Sequence, residues 1–172
     1  MSLPPSRRIL AIGLARVAAV LGGLAAVGIF LDYALHLRAL VESTWRWVGL
    51  VPFAVGIMLE AEATRVLWRL GGGTPHPVSP PPRLVDQGPY AFSRNPLYLA
   101  RILILLGVAW IFGSVAILVL DALLLLLVHF VLIPREEERL ESRLGDTYRD
   151  YRGRVGRWVT WRRPHPEKEH GV

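Results

Sequence analysis

Hydrophobic positions along this chain fall in long unbroken blocks, the pattern of helices surrounded by lipid rather than of half-buried strands or soluble amphipathic helices. Ile9 to Leu31 contains one charged residue, Arg16. It is longer than the apolar region of a cleaved leader and lacks a small-residue exit site, so it reads as a retained span. Trp45 to Leu70 forms the second block, opened by Trp45 and Trp47 and closed by Trp68 and Arg69, the aromatic and basic residues that favour a membrane interface. Pro96 to Ile133 is too long for one crossing, since about 20 residues suffice. Gly113-Ser114 near its middle divides it into a helical hairpin. The pattern predicts an all-α membrane protein, a single domain over 1–172 with about four transmembrane helices at 9–31, 45–70, 96–113 and 114–133, and a tail over 134–172.

Leu140, Leu144, Tyr148, Tyr151 and Val155 then recur at spacings of three and four, the stripe of an amphipathic helix, with Gly145 as its expected kink. Arg135, Arg139, Arg143, Arg149 and Arg152 surround the stripe, which predicts a tail helix lying on the cytoplasmic bilayer surface. Gly71 to Pro82, rich in glycine and proline, cannot be helical. It is a loop or linker and has neither a phosphate-binding loop nor a dinucleotide fingerprint.

Charge sets the orientation. The net charge is +6, from 20 Lys plus Arg of which Lys168 is the single lysine. Arg7 and Arg8, the arginines at 65, 69, 83 and 94, and the basic tail all fall on one side of a four-span chain. The positive-inside bias therefore places both termini and the long loop in the cytoplasm. Arginine-rich, lysine-poor usage suggests a prokaryote and hence its plasma membrane. In such a chain the basic excess is explained by topology and lipid contact, so nucleic acid is not an expected partner. The absence of cysteine excludes disulfides, thiolate metal sites and cysteine nucleophiles.

Ionisable groups at membrane depth are costly and mark candidate chemistry. On a regular helix His129 and Glu136 lie roughly 80° and 60° around from Asp121, so the three share a side unless Pro134 bends the line. Arg101 either pairs with Asp121 across the hairpin or joins the site, and His129 either bonds a neighbouring group or acts as a base. Glu60 and Glu62 either form an interfacial salt bridge with Arg65 or contact an acceptor. Glu136 and Glu137 begin on or beside the apolar stripe, an unusual place for solvated carboxylates. Gly88-Pro89 and Asn95-Pro96 are turns, and Pro96 suits the first turn of the third span. That puts Arg94 and Tyr98 at the surface, as lipid anchors or as ligands.

Three segments taken in order resemble the isoprenylcysteine carboxyl methyltransferase and phospholipid N-methyltransferase family of integral membrane methyltransferases. They are Gly88-Pro89-Tyr90, then Arg94-Asn95-Pro96-Leu97-Tyr98 opening a hairpin, then Glu136-Glu137-Glu138-Arg139-Leu140 through Leu144-Gly145 to Tyr148 and Tyr151. The resemblance covers roughly 73–158. Asn95 stands where many members carry His, Leu144 replaces the usual Phe, and Ala100 replaces a common Gly. The resemblance implies an S-adenosyl-L-methionine site in which a cofactor loop over 71–95 meets the start of the third span and the paired glutamates. Glu136 or Glu137 would take the cofactor's ammonium, and Arg94, Tyr90 or Tyr98 its carboxylate. Leu84, Val85, Gln87 and Gly88 would line the adenosine part, with Asn95 and Leu99 alongside. His129, Glu137 and Arg101 are the catalytic candidates, with no metal. The acceptor is a membrane lipid or another lipophilic molecule, with a phospholipid headgroup amine favoured over an isoprenylcysteine-type carboxylate or a small thiol. A membrane reductase using NADPH and a non-catalytic partner protein are the rivals from other classes.

Overall fold

The computed structural model describes residues 7–71 and 84–160, and every regular element among them is helical. The elements are α1 (Arg7–Ala34), α2 (Leu50–Val66), α3 (Pro96–Phe112), α4 (Val115–Leu127), α5 (Ile133–Leu144) and α6 (Asp146–Arg154). A 3₁₀ segment, Ser43–Gly49, leads into α2, and a π turn, Leu67–Gly71, ends it. The second expected span thus exists as a helical run two residues longer at its start.

Two helices are long and apolar enough to cross a membrane: Arg8–Ala34, and Val115–Leu144, a run of 30 residues; α3 is a shorter apolar helix. Val51, Met58 and Phe130, each at least 65% exposed, are among the large apolar side chains on the outside. Water would penalise such a surface, whereas hydrocarbon would not.

The closest packing joins α2 and α3, which run antiparallel. A Cβ on Gly56 would sit 2.8 Å from the Ala100 carbonyl oxygen, and one on Gly107 would sit 2.6 Å from the Phe53 nitrogen. Gly49, Gly56 and Ala63 on α2 and its lead-in, and Ala100 and Gly107 on α3, repeat every seven residues. This is the small-residue seam by which helices in lipid gain contact, since no hydrophobic effect drives them together there.

The α3–α4 hairpin turns at Gly113, whose φ of 64° is left-handed and closes α3, followed by Ser114, whose hydroxyl caps α4 by accepting from the Ile117 nitrogen. From α1, Asp32 also accepts from the Ala116 nitrogen at 3.0 Å and from the Ser114 hydroxyl. A single carboxylate thus satisfies donors that a helix start would leave bare at the bilayer edge.

Past α4 the helix continues. Pro134 has no N–H and its ring crowds the carbonyl four residues back, and a π turn at Val128–Leu132 accommodates both effects. The expected end of the fourth span near Ile133 is therefore the start of α5. The expected tail helix breaks at Gly145 (φ 55°). Its apolar stripe turns inward: Tyr148, Tyr151 and Val155 are buried with Leu84, Leu140 and Leu144 packed on them. The stripe covers the bundle's end instead of facing lipid, because the chain reverses at Gly145 and brings its own loop residue Leu84 over it.

Candidate active site

The turn ahead of α3 is built against the end of α2. Gly88 takes φ 59° at a position where a Cβ would meet the Val66 side chain at 3.0 Å, and Pro89 opens a 3₁₀ turn that buries the Tyr90 ring among Ala63, Leu67 and Val85. The tail grips this turn through its backbone. The Arg94 nitrogen donates to the Gly156 oxygen at 3.0 Å, the Thr160 nitrogen to Phe92 O at 2.8 Å, and Tyr151 Oη to Tyr90 O at 2.7 Å. Asn95 adds its amide, donating to Arg157 O at 3.0 Å. These bonds fix where Arg94 and Tyr98 enter the bundle.

The two acids of the tail have separate environments. Glu137, its side chain 9% exposed, receives Arg94 Nη1 at 2.7 Å and Arg157 Nε at 3.2 Å on Oε1, and Arg157 Nη2 at 2.8 Å on Oε2. Both its oxygens are engaged. Among the described residues Glu136 accepts one bond, from Tyr98 Oη at 3.2 Å. Burial pushes the Glu136 carboxyl above the ordinary carboxylate range, opposed by the Tyr98 bond and the charges of Arg101 and Arg139. Arg101 lies over the Tyr98 ring at 5.8 Å and donates from Nη2 to Glu60 Oε1 at 3.2 Å. Tyr90, its phenol pushed up chiefly by burial, lies within electrostatic reach of Glu136, Glu60 and Arg101, so these groups share one end of the bundle.

The structure therefore brings together Tyr90, Arg94, Asn95, Tyr98, Arg101, Glu136 and Glu137. Val85 is buried beneath Tyr90, Leu84 belongs to the tail cluster, and Leu99 is half-buried with its N–H on Asn95 O. Gln87 and Gly88 are exposed, and residues 72–83 of the expected cofactor loop lie outside the described residues. His129 Nδ1 accepts from Trp158 Nε1 at 3.0 Å with the two rings stacked 6.0 Å apart. In that bond His129 anchors the tail.

Two expected pairings differ. Arg101 pairs with Glu60, not Asp121, because Arg101 is twelve residues from the hairpin tip at Gly113 and Asp121 only eight, a difference of about 6 Å in depth at 1.5 Å per residue. Asp121 is buried with its Oδ1 lacking a partner among the described residues. Glu62 does pair with Arg65, at 3.4 Å, whereas Glu60 turns inward. Arg157, Trp158 and Thr64 were not singled out from the sequence. The seven-residue repeat of small residues carried the signal for Glu60, since it sets the register of α2 on α3.

Four buried polar atoms at this end lack a hydrogen-bond partner among the described residues: Arg94 Nε, Arg101 Nε, Glu60 Oε2 and Thr64 Oγ1. Buried polar atoms are ordinarily paired, so such a group marks a place where a ligand or water completes the set. A cleft of about 530 Å³ also opens between α5 and the tail, lined by Glu137, Glu138, Glu141, Ser142, Arg152 and Arg157.

An uncharacterised protein of Haemophilus influenzae is 42% identical over 64 residues, a stretch that is 37% of this chain and the whole of that protein. No solved structure matches the chain. The family model described as phospholipid methyltransferase matches residues 44–147, which hold the α2–α3 seam, the Arg94 turn, the hairpin and both tail glutamates. That match spans more than half of the chain, and the protein belongs to the phospholipid methyltransferase family.

Proposed function

We propose that the protein is an S-adenosyl-L-methionine-dependent methyltransferase of four spans with both termini cytoplasmic, acting on a phospholipid headgroup amine at the cytoplasmic face of a prokaryotic plasma membrane. The observation that carries the reading is the convergence of Tyr98–Glu136 and Arg101–Glu60 at the end of the bundle that the Arg94 turn and the tail close.

The donor set suits a zwitterionic nucleoside. S-adenosyl-L-methionine supplies, when bound, a methyl group on a sulfonium that a nucleophile can attack in line. Among the described residues Glu136 is held by one tyrosine bond, which leaves acceptor capacity for an ammonium, and Arg94 Nε is a buried donor without a partner, suited to a carboxylate. The resemblance offers Glu137 as the alternative to Glu136 for the ammonium, and Glu137 or His129 as a base. With Glu137 bound by two guanidinium groups and His129 Nδ1 by Trp158, we assign both to holding the tail over the site. Their catalytic contribution is then indirect: the closed tail excludes water and orients the reactants.

Calorimetry of the purified protein in detergent tests the cofactor. S-adenosylhomocysteine should bind, and Glu136→Ala should weaken it at least tenfold; no binding to folded wild-type protein ends the methyltransferase reading. Incubation with labelled S-adenosyl-L-methionine and mixed lipids, followed by mass spectrometry, tests the acceptor. Label appearing on a prenylcysteine carboxylate or a small thiol, with phosphatidylethanolamine unlabelled, defeats the headgroup assignment.

A further inference from the structure

Glu60, Thr64 and Arg101 form a buried polar cluster at the α2–α3 seam that the cofactor assignment does not use. Glu60 and Thr64 lie one turn apart on the same face of α2 and are 8% and 5% exposed. Glu60 Oε1 takes Arg101 Nη2, leaving Glu60 Oε2, Thr64 Oγ1 and Arg101 Nε buried without partners among the described residues. A helix seam so tight that glycines face backbone would ordinarily be filled by apolar side chains. Three unmatched polar atoms there cost free energy unless something completes them.

The unmatched set has a definite chemistry. A carboxylate oxygen and a hydroxyl accept from a cation that carries N–H, and a guanidinium N–H donates to an anion. Arg101 lies five residues into α3, about 7 Å from its start at 1.5 Å per residue, the depth to which an interfacial headgroup can settle. Arg101 lies over the Tyr98 ring, whose hydroxyl donates to Glu136, and so joins this cluster to the one given above to the nucleoside.

We propose that Glu60, Thr64 and Arg101 bind the zwitterionic phosphoethanolamine headgroup of the acceptor lipid, the ammonium on Glu60 Oε2 and Thr64 Oγ1, and a phosphate oxygen on Arg101 Nε. This rests on the lipid-methylation reading and adds the residues that choose the acceptor. A quaternary headgroup has no N–H to give Glu60, so a fully methylated product binds less well than the primary amine.

The test is native mass spectrometry of the full chain in detergent with dioleoyl lipids, alongside calorimetry with S-adenosylhomocysteine. Wild-type protein should hold phosphatidylethanolamine at least tenfold more tightly than phosphatidylglycerol or phosphatidylcholine. Glu60→Gln, which keeps a hydrogen bond to Arg101, should bring phosphatidylethanolamine down to the phosphatidylglycerol level while S-adenosylhomocysteine affinity stays within twofold. Thr64→Val, nearly the same shape, should weaken phosphatidylethanolamine about threefold, and it decides the matter if Glu60→Gln does not fold. Unchanged phosphatidylethanolamine preference in these variants overturns the proposal. So does a parallel loss of S-adenosylhomocysteine binding, which would put Glu60 in the nucleoside site. Wild-type protein that selects phosphatidylethanolamine yet binds no S-adenosylhomocysteine would sink the methyltransferase reading and leave the headgroup pocket standing.

Discussion

Replacing Glu137 by alanine removes the centre of the clamp that holds the tail to the bundle. Arg94, its side chain 9% exposed, would keep a buried guanidinium with no counter-charge, whereas Arg157 at 29% exposed can turn to water. Only one fully uncompensated charge should then be counted, and breaking a buried pair by removing one partner costs about 3–5 kcal/mol. For a chain of this size that corresponds to a fall in melting temperature of roughly 6–20 °C, at 2–4 °C per kcal/mol. The assay is thermal unfolding in detergent, with limited trypsin digestion reporting whether the arginines from Arg149 to Arg157 become accessible. Glu137→Leu combined with Arg94→Leu removes both charges and should regain most of the loss, because an apolar pair of similar volume is often no worse than a buried ion pair. A fall below about 3 °C for Glu137→Ala, or a double variant no better than the single one, would refute the argument that this acid is saturated by structural partners.

Four further outcomes follow. Burial holds Glu136 above its ordinary value of 4.5, so the folded chain retains a proton that the unfolded chain has lost, and this contribution is present below 4.5 and disappears as the pH rises through the shifted value. Glu136→Gln should therefore melt increasingly above wild type as pH rises from 4.5 until the raised value is passed, and curves parallel throughout would contradict the assignment. Tyr151→Phe, losing the 2.7 Å bond to Tyr90 O, should cost about 0.5–1.5 kcal/mol and speed amide exchange at residues 88–94, measured by hydrogen–deuterium mass spectrometry. Gly56→Ala would put a Cβ 2.8 Å from the Ala100 carbonyl and should cost about 1–3 kcal/mol in thermal unfolding as α2 and α3 are forced apart. Asp121→Leu should raise the melting temperature and leave S-adenosylhomocysteine binding unchanged, since its buried Oδ1 has no partner among the described residues to lose.

Much of this could be read from residue order. Gly113-Ser114 marks the hairpin because a left-handed residue followed by a capping hydroxyl closes two helices tightly, and the stripe from Leu140 to Val155 marks an apolar face, though its packing on the bundle instead of on lipid did not show in the spacing. Depth and register were not legible. Arg101 and Asp121 both lie within one apolar block, and nothing in their composition says that Arg101 sits about a helical turn farther from the hairpin tip. The partner of Glu60 likewise depends on how far α2 slides along α3. Bonds from the tail backbone to the Arg94 turn, through Gly156 and Thr160, leave no mark in side-chain chemistry.

The division of labour between the two tail glutamates has a local physical origin. From Ile117 onward the buried positions of the last long helical run are Ile117, Asp121, Val128, Ile133 and Glu137, with the partly buried Leu124 keeping the phase between Asp121 and Val128. Steps of three and four residues give way to one of five between Val128 and Ile133, where the π turn lies. A regular helix would have brought Leu132 and then Glu136 onto that face, which is why counting 100° per residue grouped Asp121, His129 and Glu136. The extra residue in the turn rotates everything beyond it by about 100°, so Glu137 enters the protein and meets Arg94 and Arg157, while Glu136 is left beside Tyr98 with acceptor capacity to spare. Pro134, by denying the helix one hydrogen bond, thus determines which acid holds the tail and which is available to a ligand.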